Sequence, residues 1–149
     1  MLMRLAYRME YIHPVSEKAS IKMVKYSTEY QNEYKRIYNE CYHKMREELN
    51  ILPYDFIQDD SFFKSGMDNV YLLINSDNII GSVKIYNNEI DDLIVNSDYQ
   101  GLGYGRQILL WALENIKTER IVLHVAAWNK KAISLYEKTG FEIVSTIKF

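Results

Sequence analysis

The sequence contains few of the residues that mark several specialised classes of protein. Its 149 residues include one cysteine, two prolines and six glycines. A single cysteine excludes an internal disulfide, and the helical spacing of Cys41 with Ile37 and Met45 favours a buried apolar role. There is no Pro/Gly-rich linker and no internal repeat, so we expect the chain to form a single folded domain.

Charge of one sign and long apolar runs are also missing. The formal net charge is −2 and no Lys/Arg run occurs, which argues against a nucleic-acid partner. The N-terminal stretch is interrupted by Arg4, Arg8 and Glu10, so it lacks the unbroken apolar segment of a signal peptide or membrane span. We therefore expect a cytoplasmic protein without a membrane partner, and no His/Cys/Asp spacing suggests a metal site.

The apolar patterns that are present predict a mixed α/β fold. We expect an N-terminal extension over residues 1–20, followed by one domain over residues 21–149. The predicted strands cover residues 21–26, 70–74, 79–86, 89–95, 121–126 and 141–149. The predicted helices run from near residue 28 to near 50, onward from residue 103, and over 130–139, where Gly140 is placed to end the last one.

Three alternating glycines lie where a predicted strand passes into a predicted helix. Residues 93–106 read LIVNSDYQGLGYGR, so Gly101, Gly103 and Gly105 precede or open the helix. Positions without side chains let the main chain approach a ligand, and the free N–H groups and dipole of a helix N-terminus attract phosphate. The spacing fits neither a dinucleotide fingerprint nor a Walker loop. The alternative is a tight turn that serves only close helix packing.

This segment resembles the GNAT superfamily of N-acetyltransferases. Gln100-x-x-Gly103-x-Gly105 matches the superfamily's Gln/Arg-x-x-Gly-x-Gly/Ala signature. Further along the chain, the superfamily's Asn-x-x-Ala-x-x-x-Tyr…Gly-Phe block is matched by Asn129, Ala132, Tyr136, Gly140 and Phe141. The resemblance implies the GNAT fold, in which helices flank a mainly antiparallel sheet.

The resemblance also implies acetyl-CoA as the acetyl donor, direct transfer in a ternary complex, and no metal. Main-chain N–H groups of the glycine segment would hold the pyrophosphate, and the pantetheine arm would pair with the preceding strand where two strands splay apart. Asn129 would bind that arm as well as cap its own helix. The implied donor contacts are Leu93, Ile94, Val95, Gln100, Gly101, Leu102, Gly103, Tyr104, Gly105, Arg106, Asn129, Ala132 and Tyr136.

Amine attack on a thioester needs a base for the ammonium proton and an acid for the departing thiolate. The resemblance gives the acid role to Tyr136, with core packing as the alternative. We favour Glu89 as the base; it shares one face of its strand with Asp91, while Asp92 lies on the other face. A bulge would reverse this and favour Asp92, and an ordered water is a further alternative. His124 on the next strand is a second candidate, although a lone strand histidine is more often structural.

The acceptor is predicted only as a small cationic amine. Acidic residues around the expected pocket suggest it, although solvated surface explains them almost as well; they are Glu47, Glu48, Asp59, Asp60, Asp91 and Asp92. The tyrosines at 30, 34, 38 and 42 either wall the pocket or face the core. The alternatives in function are a CoA-binding module without turnover and a transferase acting on a protein, peptide or tRNA end.

One departure from the superfamily concerns the C-terminal part of the sheet. Members usually finish with two antiparallel strands after the Gly-Phe pair, whereas only one predicted strand follows Phe141 here. An open sheet edge invites aggregation. We expect it to be covered either by the N-terminal extension, in which Tyr7, Met9 and Tyr11 alternate, or by a strand from a second copy in a homodimer.

Overall fold

The computed structural model describes residues 4–149, and residues 1–3, the start of the predicted extension, lie outside it. The strands in the described part are β1 (Leu5–Tyr11), β2 (Val24–Lys25), β3 (Val70–Asn75), β4 (Asn78–Tyr86), β5 (Glu89–Val95), β6 (Val122–Ala126) and β7 (Phe141–Lys148). The α-helices are α1 (Gln31–Glu48), α2 (Tyr104–Asn115) and α3 (Lys130–Thr139). Across residues 4–149, no helix is both long and apolar enough to span a bilayer.

The strands form one sheet in the order β2-β3-β4-β5-β6-β1-β7. Neighbouring strands are antiparallel except β5 and β6, which run parallel and pair only at Glu89 with Val122 and Ile90 with Leu123. Beyond Ile90 these two strands separate and leave a gap in the sheet. The mixed, mainly antiparallel sheet with flanking helices confirms the predicted fold class.

Helices cover both faces of the sheet because successive strand residues point to opposite sides. Leu72 and Ile79 are buried in an apolar cluster with α1. Their neighbours Leu73 and Ile80 are buried in a second cluster with α2 and α3. Each buried side chain of this size contributes about 1.5–3 kcal/mol of hydrophobic stabilisation, so the alternation along β3 and β4 fixes which helix lies on which face.

The N-terminal segment supplies an interior strand. β1 pairs with β6 on one side and with β7 on the other, so β6 and β7 are not neighbours. Met9 at the centre of β1 is fully buried. From the sequence alone, either the N-terminal extension or a strand of a second copy is expected to complete this part of the sheet. The chain's own N-terminal strand lies there, and β7 forms the outer edge.

The strand predicted over residues 21–26 is reduced to two residues. Just before it, the chain crosses α2, where the N–H groups of Ala19 and Ser20 donate to the side chains of Glu114 and Gln107 at 2.6 and 2.7 Å. Helix α2 lies on a face of the sheet, so the residues that cross it are away from the sheet edge. The chain therefore pairs with β3 only over the two residues of β2. By contrast, β5 and α3 begin and end at the predicted residues.

A β-bulge interrupts β5 next to the gap. Two residues of β5, Asp92 and Leu93, lie opposite the single residue Val83 of β4. Asp92 has φ of 45°, in the left-handed region that few residues other than glycine adopt. The bulge reverses the alternation of side chains along β5. From the sequence alone, such a bulge is the condition that would make Asp92, and not Glu89, the candidate base.

Candidate active site

Two cavities meet in the gap between β5 and β6. The first, which we call the glycine-turn cavity, has a volume of about 440 Å³ and lies against residues 100–106. The second, the carboxylate cavity, has a volume of about 390 Å³ and is lined by Asp91 and Asp92. Residues common to both walls are Tyr42, Met45, Leu93, Asn129, Ala132 and Leu135. A ligand in one cavity can therefore meet a ligand in the other.

The glycine turn presents free main-chain N–H groups to the first cavity. Gly101 and Gly103 have φ of 78° and 88°, and a methyl group added at either would meet no atom within 4 Å. The N–H of Gln107 donates to the carbonyl of Gly103 at 3.2 Å and is the first to donate within the helix, so the N–H groups of residues 104–106 have no acceptor in the helix. An open turn at a helix N-terminus suits a phosphate group.

The residues expected to contact a donor line the glycine-turn cavity, except Leu102 and Tyr136. Leu102 is 68% exposed to solvent, and Tyr136 lines the carboxylate cavity instead. Cys41, Trp128 and Lys131 also line the glycine-turn cavity and were not predicted there. Cys41 lies on α1, whose packing across the end of β5 is a tertiary contact that spacing alone does not show.

The carbonyl of Val95 already has hydrogen-bond partners. It accepts from the Nε2 group of Gln100 at 2.9 Å and from the Sγ of Cys41 at 3.3 Å. Burial raises the pKa of the Cys41 thiol to about 11, so this group keeps its proton at neutral pH. A ligand amide that pairs with Val95 must displace or share these donors.

The guanidinium of Arg106 faces the N-terminal segment as well as the glycine-turn cavity. Its Nη2 atom lies 2.7 Å from Oε1 of Glu17, and its Nη1 atom lies 3.4 Å from Oγ1 of Thr139. The hydrogen bond from Arg106 lowers the pKa of Glu17. Glu17 therefore compensates part of the positive charge that Arg106 brings to the cavity wall.

Asp92 is one of the two carboxylates that line the second cavity, and it is hydrogen-bonded to helix α1. Its Oδ1 atom accepts hydrogen bonds from the hydroxyls of Tyr42 at 2.8 Å and Tyr38 at 3.4 Å. Burial, followed by the charge of Asp91, raises the pKa of Asp92 to about 6, although the tyrosine hydrogen bonds oppose the rise. A carboxyl group with this pKa is mostly ionised at neutral pH and is a competent proton acceptor.

Glu89 and His124 form a separate pair at the edge of the site. Oε1 of Glu89 lies 3.0 Å from Nδ1 of His124, and their side chains are 39% and 37% exposed. His124 lines the carboxylate cavity, whereas Glu89 lines a neighbouring cavity with Lys84 and Tyr86. Asp92 thus lines the carboxylate cavity itself, whereas Glu89 contacts it only through His124.

Tyr136 approaches the carboxylate cavity from α3. Burial, followed by the charge of Asp91, raises the pKa of Tyr136 to about 12, so the phenol keeps its proton at neutral pH. The ring also packs against Phe141 with centroids 6.0 Å apart. The two roles considered for Tyr136, proton donation and core packing, are therefore compatible.

Asn129 lies where the cavities join. Its side-chain oxygen accepts from the N–H of Ala132 at 3.2 Å, which is the predicted cap of α3. Gly140 ends the same helix with φ of 116°, as predicted. Cap and C-terminal glycine together fix the position of Tyr136 relative to the gap.

The tyrosine row divides between the two roles considered for it. Tyr34 is buried in the cluster under α1, whereas Tyr38 and Tyr42 also reach the carboxylate cavity. Of the acidic residues named above, only Asp91 and Asp92 line this cavity. Glu48 instead accepts a hydrogen bond from Trp128, and Asp59 accepts from Ser61. Within the described residues, no group of three or more acidic, histidine or cysteine side chains is arranged to hold a metal ion.

Sequence comparison identifies the family of the chain. The profile of the acetyltransferase (GNAT) family matches residues 29–141, well over half of the chain. The chain therefore belongs to the acetyltransferase (GNAT) family, whose members are acyltransferases that use acetyl-CoA. None of the curated proteins matches the sequence.

Solved structures share the fold at low sequence identity. A GNAT-family acetyltransferase from Colwellia psychrerythraea superposes with a TM-score of 0.70 at 9% identity, over 96% of this chain and 53% of that one. Apo YjaB from Escherichia coli gives 0.66 at 19% identity, over 83% and 84% of the two chains. Spermidine N-acetyltransferase from Vibrio cholerae, solved with CoA and spermine, gives 0.60 at 20% identity, over 80% and 79%.

The chain is shorter than several of its structural neighbours. It spans 62%, 53% and 50% of the length of three of them. At these identities the neighbours establish the GNAT fold. They do not carry over the activities or partners of the longer proteins.

Proposed function

We propose that this protein transfers the acetyl group of acetyl-CoA directly to the primary amine of a small molecule. The observation that supports the proposal is the junction of the two cavities in the gap between β5 and β6. One cavity offers a phosphate-binding turn, and the other offers a proton acceptor and a proton donor. Acetyl-CoA, when bound, supplies an activated thioester carbonyl.

The glycine turn and the end of β5 are the proposed donor site. The N–H groups of residues 104–106 would bind the pyrophosphate through the open space in front of the turn. Residues 93–95 lie where β5 has left β6, so their main chain can pair with an extended amide. Alignment of thioester and amine at the junction supplies part of the rate enhancement.

We assign the base to Asp92 in preference to Glu89. The bulge directs Asp92 toward α1, and Tyr42 and Tyr38 hold its carboxylate at the cavity wall. Its raised pKa makes proton uptake from an ammonium group less unfavourable than for an ordinary aspartate. Glu89 reaches the cavity through His124 and would act through that side chain or a water.

Tyr136 is the proposed acid. It faces the cavity from α3, on the other side of the sheet from the Asp92 partners on α1. Its phenol is protonated at neutral pH and can donate to the departing thiolate. Acid and base then line the same cavity from opposite sides of the sheet, and the thioester would reach both where this cavity joins the glycine-turn cavity.

The acceptor class follows from size and charge. A cavity of about 390 Å³ suits a small molecule, and two carboxylates in its wall suit an ammonium group. A fold neighbour named as a spermidine N-acetyltransferase supports a small amine in the same family. A protein or peptide amine would have to enter this cavity as a narrow chain.

The test is release of free thiol from acetyl-CoA with a panel of primary amines, beside calorimetric titration with CoA. Amine-dependent release together with CoA binding is the expected result. CoA binding without release on any amine would instead support a non-catalytic binding module. Absence of CoA binding would overturn the assignment of the glycine-turn cavity.

We extend the proposal to a cytoplasmic homodimer. The outer strand β7 leaves the large apolar residues Ile143, Val144 and Ile147 about two-fifths exposed, and Phe149, just after the strand, is one-half exposed. Such an edge suits contact with a second copy. Sedimentation equilibrium would give the mass of a dimer, and a monomer at all concentrations would contradict this part.

A further inference from the structure

We infer that the carboxylate cavity selects a primary amine with a single positive charge and an aromatic or otherwise apolar body. The inference rests on the proposed function, since it names the acceptor class of the same site. It follows from three features of the cavity wall, which are the position of its negative charge, its aromatic surface and its one guanidinium group.

Negative charge is confined to one part of the wall. The charged side chains that line the cavity are Asp91, Asp92 and Arg46, beside the titratable His124. Asp91 and Asp92 are consecutive residues at the bulge, so they can attract one ammonium group but do not form a row. Within the cavity, each further ammonium of a polyamine would lie against an apolar wall or near Arg46, and the carboxylate of Glu89 at the edge of the site already lies against His124.

Aromatic rings form the surface next to the carboxylates. The rings of Tyr38 and Tyr42 have centroids 4.8 Å apart, and Phe56 lies 6.2 Å from Tyr38. Phe56 lines the cavity although its side chain is 45% exposed, and Phe62 packs against its ring from another direction at 6.1 Å. An exposed aromatic residue at a cavity is a typical contact for an apolar ligand.

Arg46 places a fixed positive charge beside this aromatic surface. Its Nε atom donates to the carbonyl of Pro53 at 2.7 Å, and its guanidinium lies 5.0 Å from the ring centroid of Phe56. No carboxylate in the described part of the chain pairs with it. A second ammonium on the acceptor would meet this charge, so Arg46 disfavours polyamines by repulsion.

An α-amino acid is disfavoured as the acceptor because of its own carboxylate. Its carboxylate is attached to the carbon that carries the amine, so it would lie close to Asp91 and Asp92 when the amine is in place. A monoamine such as phenethylamine avoids both conflicts. Its ammonium matches the carboxylates and its ring matches Tyr38, Tyr42 and Phe56.

The experiment compares phenethylamine, spermidine, phenylalanine and ethylamine as acceptors by thiol release. We expect kcat/KM for phenethylamine to exceed that for spermidine and phenylalanine by at least about tenfold. Phe56→Ala should raise KM for phenethylamine by about tenfold more than it raises KM for ethylamine, which has no ring to contact Phe56. Arg46→Gln should raise kcat/KM for spermidine. Tyr86→Ala is the matched control, because Tyr86 is a 58% exposed aromatic residue outside both cavities of the site.

Equal or better turnover of spermidine or phenylalanine would overturn the inference and leave the proposed function intact. If no amine releases thiol, the proposed function fails, and calorimetry of the same amines with the CoA-bound protein still decides the selection. Tighter binding of phenethylamine than of spermidine and phenylalanine would support the inference. Equal or weaker binding would overturn it.

Discussion

The hydroxyl of Tyr42 lies 2.8 Å from Oδ1 of Asp92 and joins helix α1 to the bulge of strand β5. The contact exists because the bulge turns Asp92 toward α1, where regular alternation along the strand would direct it to the other face. An irregularity in the sheet therefore places a carboxylate with a raised pKa in the wall of the cavity. The predictions below concern this carboxylate, Tyr136 on α3 and the glycine that ends α3.

Substitution of the two carboxylates separates the candidate bases. Asp92→Asn should lower kcat/KM by about 100-fold or more, the usual range for loss of a general base. Glu89→Gln should lower it by less than about threefold, because Glu89 lines a different cavity. Steady-state kinetics at pH 8 measure both. A large loss in Glu89→Gln with a small one in Asp92→Asn would return the role to Glu89.

The pH dependence of the wild-type enzyme should show one acidic limb from Asp92. The carboxyl must be ionised to accept a proton, and burial raises its pKa to about 6. With saturating acetyl-CoA, kcat/KM for the amine should therefore rise about tenfold per pH unit below 6 and level off above it. Residual activity of Asp92→Asn should lack this limb. A limb that persists unchanged in this variant would assign the titration to another group.

Asp92 should also make stability depend on pH in a direction opposite to that of an ordinary salt-bridged carboxylate. Its pKa is raised in the folded state, so its favourable contribution is complete below the unfolded value near 3.8 and is lost as pH rises through about 6. The unfolding free energy of Asp92→Asn, relative to that of the wild type at the same pH, should therefore increase by about 1 kcal/mol between pH 5 and pH 8. Urea unfolding at the two pH values measures it, and a constant or shrinking gain would contradict the buried position of the carboxylate.

Loss of the Tyr136 hydroxyl should affect turnover more than binding. In Tyr136→Phe the ring that packs against Phe141 is kept, so the thermal midpoint should change little. We expect kcat to fall by about 100-fold, as for loss of a general acid, with unchanged affinity for CoA. Tyr86→Phe is the control for removal of an exposed hydroxyl. Equal kcat in Tyr136→Phe and wild type would leave Tyr136 a packing residue.

Gly140 should tolerate no side chain. Its φ is 116°, and a Cβ atom there would lie 2.1 Å from the carbonyl oxygen of His13, just after β1. Gly140→Ala should therefore destabilise the protein by about 3 kcal/mol or more. Gly101→Ala is the comparison, because Gly101 also has positive φ but open space around it, and it should cost only about 1 kcal/mol. Similar losses in both variants would show that the contact with His13 is absent in solution.

Local patterns in the sequence were sufficient for most elements. Helix α3 lies at residues 130–139 because Asn129 caps its start and Gly140 ends it, and both signals are encoded in adjacent residues. The glycine segment was recognised because a phosphate-binding turn needs glycine at set positions. These features depend on interactions within about ten residues, which a sequence pattern displays directly.

Features that depend on distant pairing were harder to predict. The insertion of β1 between β6 and β7 pairs residues that are more than 100 positions apart in the chain. The alternation of Tyr7, Met9 and Tyr11 indicates a strand but not the strands with which it pairs. The bulge at Asp92 arises from its register with Val83 and decides which carboxylate faces α1. The wall formed by Phe56 and Arg46 results from a long loop folding back on α1, for which the sequence offers no periodic signal.

The most direct test of the account is mass spectrometry of a primary amine incubated with the protein and acetyl-CoA. The predicted result is acetylated amine in the same amount as the free thiol released, at a rate that falls sharply in Asp92→Asn and in Tyr136→Phe. CoA binding without acetylated product for any amine would contradict the account. It would leave a CoA-binding protein whose second cavity serves another purpose.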